Sequence, residues 1–335
     1  MKFGIFDHVD DNGLDLGELY DNRLRLIEAF DRSGIHCYHL AEHHFTPLGM
    51  SPSPSVFMSA VAQRTRRLLF GPLVYTLALY HPLRLAEEIC MLDHLSGGRL
   101  QLGVGRGVSP VEMRLYGVDV EKAQALYMES YDVLMKALQV DTLTHEGEHF
   151  RFRDVPMTMH PRQRPHPPLW YGLGNPDGVE WVARNAINVI SLSTPEVVRK
   201  VTDGYRAAWA GLGRDPAQMP LVGTLRHIVI APTDAEALSI ARRAYTRWRS
   251  SFWHLWDVFG ARPRFAIYPE TFDELVERGQ AVAGSPATAL ATLRAQTEAG
   301  GVNYLLLDLA FGDLALEESL RTLELFWSEV APGLG

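Results

Sequence analysis

A chain of 335 residues with 47% hydrophobic and 21% charged residues has room for one large domain or two ordinary ones, and its apolar content excludes disorder. A net charge of −8 argues against a nucleic-acid or anionic-membrane surface. The two cysteines, Cys37 and Cys90, sit among apolar residues and read as reduced core thiols; no apolar leader precedes MKFGIFDH and no uncharged run reaches the roughly 18 residues of a membrane span, so the expectation is a cytoplasmic protein.

KFGIFDH opens the chain as a short apolar strand. Residues 17–33 place Leu19, Leu24, Ile27 and Phe30 on one helical face and stop at Gly34. HCYHLA is the second strand and leads into a polar loop, EHHFTPLGMSPSP. Ser53-Pro54 opens the second helix. LLFGPLVY is the third strand, and His81-Pro82 starts a helix that runs to about Leu95. RLQLGVGRG is the fourth strand. A helix over 121–138 and a small surface hairpin, HEGEHFRF, follow. PPLWYGLGN and NVISLS are the fifth and sixth strands, with helices from about Pro176 and over 195–210. PLVGTLRHIVIA is the seventh, with a helix over 234–249, and VNYLLLDLA the eighth, with a helix over 313–330.

Strand-then-helix units in this order predict a parallel (β/α)8 TIM barrel with insertions, one domain over 1–335. An open doubly wound sheet is the rival. It carries a glycine turn near its first strand, and this chain has none there. The segment 250–283 fits no unit. Its aromatic residues, Phe252, Trp253, Trp256, Phe259, Phe265, Tyr268 and Phe272, suit either a lid or an extra packing or dimer element.

The fourth strand carries the densest signal. Gly103, Gly105 and Gly107 let backbone approach a bulky ligand, and Arg106 offers a planar fork of donors to a phosphate. A dinucleotide fingerprint fails on spacing, because Val108 stands where G-x-G-x-x-G needs its last glycine. In a barrel the functional residues lie at the C-terminal strand ends. Here those ends hold Asp7 and His8, then Glu42, His43 and His44, then Val74 and Tyr75, then Arg106. Gly172 to Asn175, Ser191 and Ser193, Arg226 and His227, and Asp308 complete the ring. That set suits a phosphate-bearing cofactor with a proton-transfer residue beside it. His39 and His43 are four apart, but the strand character of Tyr38 and Leu40 spoils a zinc pair, so no metal is expected. No Gly-x-Ser-x-Gly elbow and no Cys–His pairing is evident, which disfavours a hydrolase.

MKFGIF, AEHHFTPLG, HPLRLAEEICMLDHLSGGRLQLGVGRG, GEHFRF, VEWVA and LFWSEVAPGL together resemble the bacterial luciferase-like flavin monooxygenases over nearly the whole chain. The AEHHF loop and the closing segment look most like the alkanal monooxygenase α chain. The resemblance implies a (β/α)8 barrel that binds reduced FMN, or in some branches the deazaflavin F420, at its mouth. It implies His43 as the catalytic histidine, with Glu42 the acid beside it and His44 adjacent. Arg106 would hold the flavin phosphate, as would Gly174, Asn175 and Gly178 at a helix start, where free N–H groups favour an anion. Gly172 and Ser191 fall at neighbouring strand ends. Leu73–Val74 matches a bond that is cis and non-prolyl in relatives. Gly105 replaces the reactive cysteine of the luciferase α chain, and Gln124 replaces a second phosphate-binding arginine.

The implied activity is an FMNH2-dependent monooxygenation. One oxygen atom from O2 would pass by way of a C4a-hydroperoxyflavin into a small apolar substrate, an aldehyde being one candidate. With no nicotinamide site in the chain, a separate flavin reductase would supply the reduced FMN. The alternatives are an F420-dependent hydride transfer or a non-catalytic partner subunit. Relatives dimerise through the second and third helices, where Met58, Val61, Leu83, Leu85, Ile89 and Met91 lie, so a homodimer is expected.

Overall fold

In the computed structural model, which describes residues 1–262 and 268–335, every strand of the main sheet is parallel. Phe265 lies outside the described residues. The first half alternates as its pattern predicts: β1 (Lys2–Asp7), α1 (Leu16–Ser33), β2 (Cys37–Leu40), α2 (Pro54–Arg64), β3 (Leu69–Pro72), a two-residue β4 (Tyr75–Thr76), α3 (Pro82–Leu95) and β5 (Leu102–Gly105). Asp15 caps α1 by accepting from the Gly17 amide, and Gly34, at φ 88°, ends it. Proline stands in the first turn of α2 and of α3, where its missing N–H costs nothing.

After β5 come α4 (Pro110–Leu115), α5 (Ala123–Ala137) and the antiparallel hairpin β6 (Thr142–Glu146) and β7 (Arg151–Pro156). Then β8 (Leu169–Gly172), α6 (Val179–Arg184), β9 (Asn188–Ser191), α7 (Pro195–Gly211) and β10 (Val222–Ile230) resume the alternation. The last part holds α8 (Asp234–Val258), α9 (Phe272–Glu277), β11 (Ala281–Gly284), α10 (Pro286–Gly300), β12 (Tyr304–Asp308) and α11 (Leu316–Leu325).

The staves run β3-β2-β1-β12-β10-β9-β8-β5, with β4 beyond β5, and a bridge between Phe70 and Leu100 brings the two ends together. This is the expected barrel. Its interior is filled by Phe6, Ala41, Trp170, Ile190, Leu225, Tyr304 and Leu306. Two polar pairs sit among them: His39 Nε2 lies 3.1 Å from the Tyr304 hydroxyl, and Trp170 Nε1 donates to Gln101 Oε1 at 2.9 Å. His39 is therefore an internal core residue, remote in role from His43. Burial pushes its pKa down to about 3.

Two residues of the quoted HPLRLAEEICMLDHLSGGRLQLGVGRG stretch have structural work. Arg99 spends its guanidinium on the carbonyls of Ala62, Thr65, Leu68 and Ser96 and on the Thr65 hydroxyl, which fixes the exit of α2. The Asp93 carboxylate accepts from the backbone and side chain of Gln163. Cys37 and Cys90 are buried and free.

Within the fold the structure departs from the sequence reading in four places. The helix expected over 234–249 runs on to Val258, because Trp248 and Phe252 continue its spacing and stack at 5.5 Å. Much of the supposed insertion is therefore helix. β11 and α10 escaped notice altogether. α10 buries Ala289, Leu293, Gln296, Thr297 and Gly300, a stripe too small and polar to read as amphipathic. The last helix is shorter than 313–330: α11 ends at Leu325 and a wider turn follows. On α2 and α3, Met58, Val61, Leu85 and Ile89 are core residues and not spare surface, whereas Val56, Met91 and Leu95 are exposed. No helix among the described residues is long and apolar enough to cross a membrane.

Candidate active site at the barrel mouth

The loop leaving β2 carries Glu42, His43 and His44, and extended backbone sends neighbouring side chains opposite ways. His43 turns to the mouth, where its Nδ1 lies 3.1 Å from Glu112 Oε1. Ser109 delivers that carboxylate by capping α4: its hydroxyl accepts from the Glu112 amide at 3.2 Å. His43 Nε2 bonds no described residue. Glu42 and His44 face away and bond each other, Nε2 to Oε1 at 2.8 Å. Glu42 Oε2 accepts from the Thr76 amide, and His44 Nδ1 meets the Tyr116 hydroxyl at 3.0 Å. Every polar side-chain atom of that pair is engaged, so it ties the β2 loop to β4 and α4 and leaves His43 as the imidazole of this loop with a nitrogen unbonded among the described residues.

Glycine makes the wall formed by β5 and β8. A Cβ on Gly103 would strike the Pro72 carbonyl, and one on Gly105 would stand 2.5 Å from Val74 Cγ2. The Leu73–Val74 peptide is cis, as the resemblance implied. Gly172 and Gly174 have open space where a Cβ would be. The pairing of Leu102 with Leu169 and Gly103 with Trp170, carried forward, sets Arg106 beside Leu173. Arg106 is exposed and makes no hydrogen bond or ion pair among the described residues. The turn after β8 is closed by Asn175, whose Oδ1 accepts from the Asp177 amide, and Gly178 packs against Leu173. Asp177 and Glu180 already place acids in those first turns, which offsets the field an anion would use there.

Two strand-end residues are not brought to the mouth. Ile190 lies in the barrel interior, so the next residue, Ser191, points to the helix layer; it is fully buried. Arg226 also turns outward. It bonds Thr224 Oγ1, the Leu225 carbonyl and Gln296 Oε1, and burial pushes its pKa down to about 9.

β1, β10 and β12 supply the facing wall. β10 pairs with β12 below and, from His227 upward, with β11, so it stands proud of the rim. His227 and Asp308 are register partners with Nδ1 2.9 Å from Oδ2. His8 stacks on His43 with ring centroids 5.6 Å apart. Burial holds His8 well below the usual imidazole range, with His43 and His227 adding to the effect, so it is neutral. Behind it, Asp7 accepts from the Tyr38 hydroxyl and faces Arg23 Nη1 at 3.3 Å. Burial also raises Asp10 well above the carboxylate range.

Glu112 was missed by sequence reading. The Ser109-x-x-Glu112 pattern marks a capped helix start, but nothing in it reveals a histidine 69 positions earlier. α8 closes the site: Thr46 Oγ1 donates to the Ser251 carbonyl at 2.8 Å. A small pocket between them is lined by His43, Leu48, Glu112, Phe252, Leu255 and Trp256, with Val108 at its edge.

Residues 1–303 match the family model described as luciferase-like monooxygenase. The chain belongs to the luciferase-like monooxygenase family. This luciferase-like monooxygenase is 45% identical over its whole length to an uncharacterized protein, y4wF, of Sinorhizobium fredii, covering 98% of that protein. It is 29% identical to the 4-hydroxyprotoasukamycin monooxygenase of Streptomyces nodosus subsp. asukaensis, over 99% of this chain and 92% of the relative. Among solved structures, the monooxygenase RslO1 of Streptomyces bottropensis superposes over the full length of both chains with a TM-score of 0.89 and 27% identity. A luciferase-like monooxygenase is an enzyme, and the barrel mouth is where its residues gather.

Proposed function

We propose that this luciferase-like monooxygenase is the FMN-dependent oxygenase of a two-component system, in which a separate reductase provides reduced FMN. One oxygen atom of O2 goes into a small, largely apolar organic substrate. The observation that carries the reading is the pairing of a glycine-walled mouth with an Arg106 that has no partner among the described residues and a His43–Glu112 dyad at its edge. The residues fit the cofactor. The backbone at Gly172 and Gly174 leaves open surface for a ring system, Gly103 and Gly105 let Pro72 and the Leu73–Val74 peptide pack close beside it, and Arg106 would hold the phosphate.

Bound reduced flavin supplies the electrons that activate O2. The chain's own work is position, dryness and one proton. Glu112 holds His43 by Nδ1, which leaves Nε2 to accept a proton and return it. Leu48, Phe252, Leu255 and Trp256 exclude water from that transfer. Glu42 and His44 act as positioning residues for the loop.

We also propose a homodimer, in which Val56, Met91 and Leu95 on α2 and α3 form the apolar contact. Anaerobic titration with FMNH2 and with reduced F420 tests the cofactor assignment: FMNH2 binds the more tightly, and a preference for F420 would replace oxygen insertion with hydride transfer.

A further inference from the structure

The mouth has two unlike walls. In the stave order, β5 lies four places from β12, and β8 four places from β1. On one side stands glycine backbone; on the other stand His8, His227 and Asp308. Trp248 of α8 lies against both imidazoles, 4.7 Å from the His227 ring and 5.9 Å from that of His8. Phe311 and Tyr245 close round His227 at 4.8 and 6.3 Å. Through the stack of His8 on His43, a continuous run of rings leads from His227 to the dyad.

This wall holds polar atoms that no described residue satisfies. His8 Nδ1, both ring nitrogens of His227, Asp308 Oδ2 and Trp248 Nε1 are buried and make no hydrogen bond with a described residue. The His227–Asp308 approach is short, yet it lacks the alignment of a hydrogen bond. Protein interiors leave few such atoms unpaired, and each usually has a partner that completes it. Here they come from four elements, β1 with its exit, β10, β12 and α8, and converge among aromatic rings.

We propose that this wall seats the organic substrate, with His227, which Asp308 approaches to 2.9 Å, hydrogen-bonding the substrate's oxygen. Such a seat prefers a ring compound bearing a carbonyl or hydroxyl group to the bare hydrocarbon. The inference rests on the flavin reading above, because a planar cofactor laid on the glycine wall turns its free face toward His227. Phe252 and Tyr268, both half-buried, supply apolar surface for the substrate's ring, backed by the buried Trp248. Asp308 is a positioning residue; His227 touches the substrate.

The test uses three matched probes, 1-indanone, 2-indanol and indane, bound at equilibrium to the FMN-loaded protein. Wild type is expected to bind the ketone or the alcohol at least about tenfold more tightly than indane, the size of one buried hydrogen bond. In His227→Phe that preference falls to within about twofold while indane affinity is kept. In His227→Gln, whose amide restores a donor, much of it returns. Thermal melting and FMN affinity report whether each variant folds, and His227→Gln carries the test if His227→Phe does not. A preference that is absent in wild type, including failure of the ketone to bind, overturns the proposal. So does a preference unchanged in His227→Phe or not restored in His227→Gln. Failure of wild type to bind FMN, with the ketone preference present in the flavin-free protein, would instead overturn the flavin reading.

Discussion

His43 and Glu112, 69 positions apart in the chain, meet at the barrel mouth with Nδ1 3.1 Å from Oε1. That contact fixes which imidazole nitrogen faces the substrate space. His43→Ala should lower turnover by about 10²–10⁴-fold and leave FMN affinity within about threefold, since the phosphate group sits on another stave. Added imidazole should restore part of the rate. Glu112→Gln should lower turnover with FMN affinity kept. Native turnover by His43→Ala at saturating reduced flavin would remove the role. His44→Ala should instead lower the melting temperature, because it breaks the tie between Glu42 and Tyr116.

Arg106 is exposed and has no partner among the described residues, so its loss should leave the fold intact. Arg106→Ala should weaken FMN binding by about tenfold or more and spare riboflavin, a charge-assisted hydrogen bond being worth roughly 1.5–3 kcal/mol. Fluorescence titration of both flavins is the check. Equal weakening would place the phosphate elsewhere.

Gly105 is set by Val74. A side chain at 105 would meet Val74 Cγ2 at 2.5 Å. Gly105→Cys should therefore cost about 1–3 kcal/mol of stability, and Val74→Ala in the same chain should recover much of it. Urea unfolding of the two single variants and the double variant measures the coupling. Additive costs would contradict the packing argument.

The barrel was legible because its strands alternate with helices whose starts carry Pro54, Pro82, Pro195 and their flanking polar residues. The candidate site was half legible. Strand ends advertised His8, His43, Arg106, His227 and Asp308, since a barrel sends those ends to one rim. Side-chain direction was the harder part. Ser191 and Arg226 each lie one step off the inward-facing register, which turns a strand-end polar group into helix-layer packing. The Glu112 contact depends on how α4 folds back, a tertiary fact that no local pattern carries.

Acid should destabilise the fold through His39. Its pKa is about 3 in the fold against 6.5 unfolded, so the unfolded chain binds the extra proton and stability falls as pH drops below 6.5. At pH 5 the loss from this group is about 2 kcal/mol. Urea unfolding at pH 7 and pH 5 should show a smaller loss in His39→Gln than in wild type. An equal loss would mean the buried ring is not the sensor.

Sedimentation at micromolar concentration should find a dimer, and Val56→Lys with Met91→Lys should give a monomer that keeps its helical circular dichroism. Both residues are exposed, so neither change disturbs the core. A wild-type monomer would refute the assembly.

The most direct test of the flavin oxygenase assignment is rapid mixing of the FMNH2-loaded protein with O2, followed by its absorbance. A dry mouth that holds its flavin should slow the return of oxidised FMN well below the rate for free FMNH2 and reveal a spectral intermediate, shortened in His43→Ala. Reoxidation as fast as that of free FMNH2, with no intermediate, would contradict it.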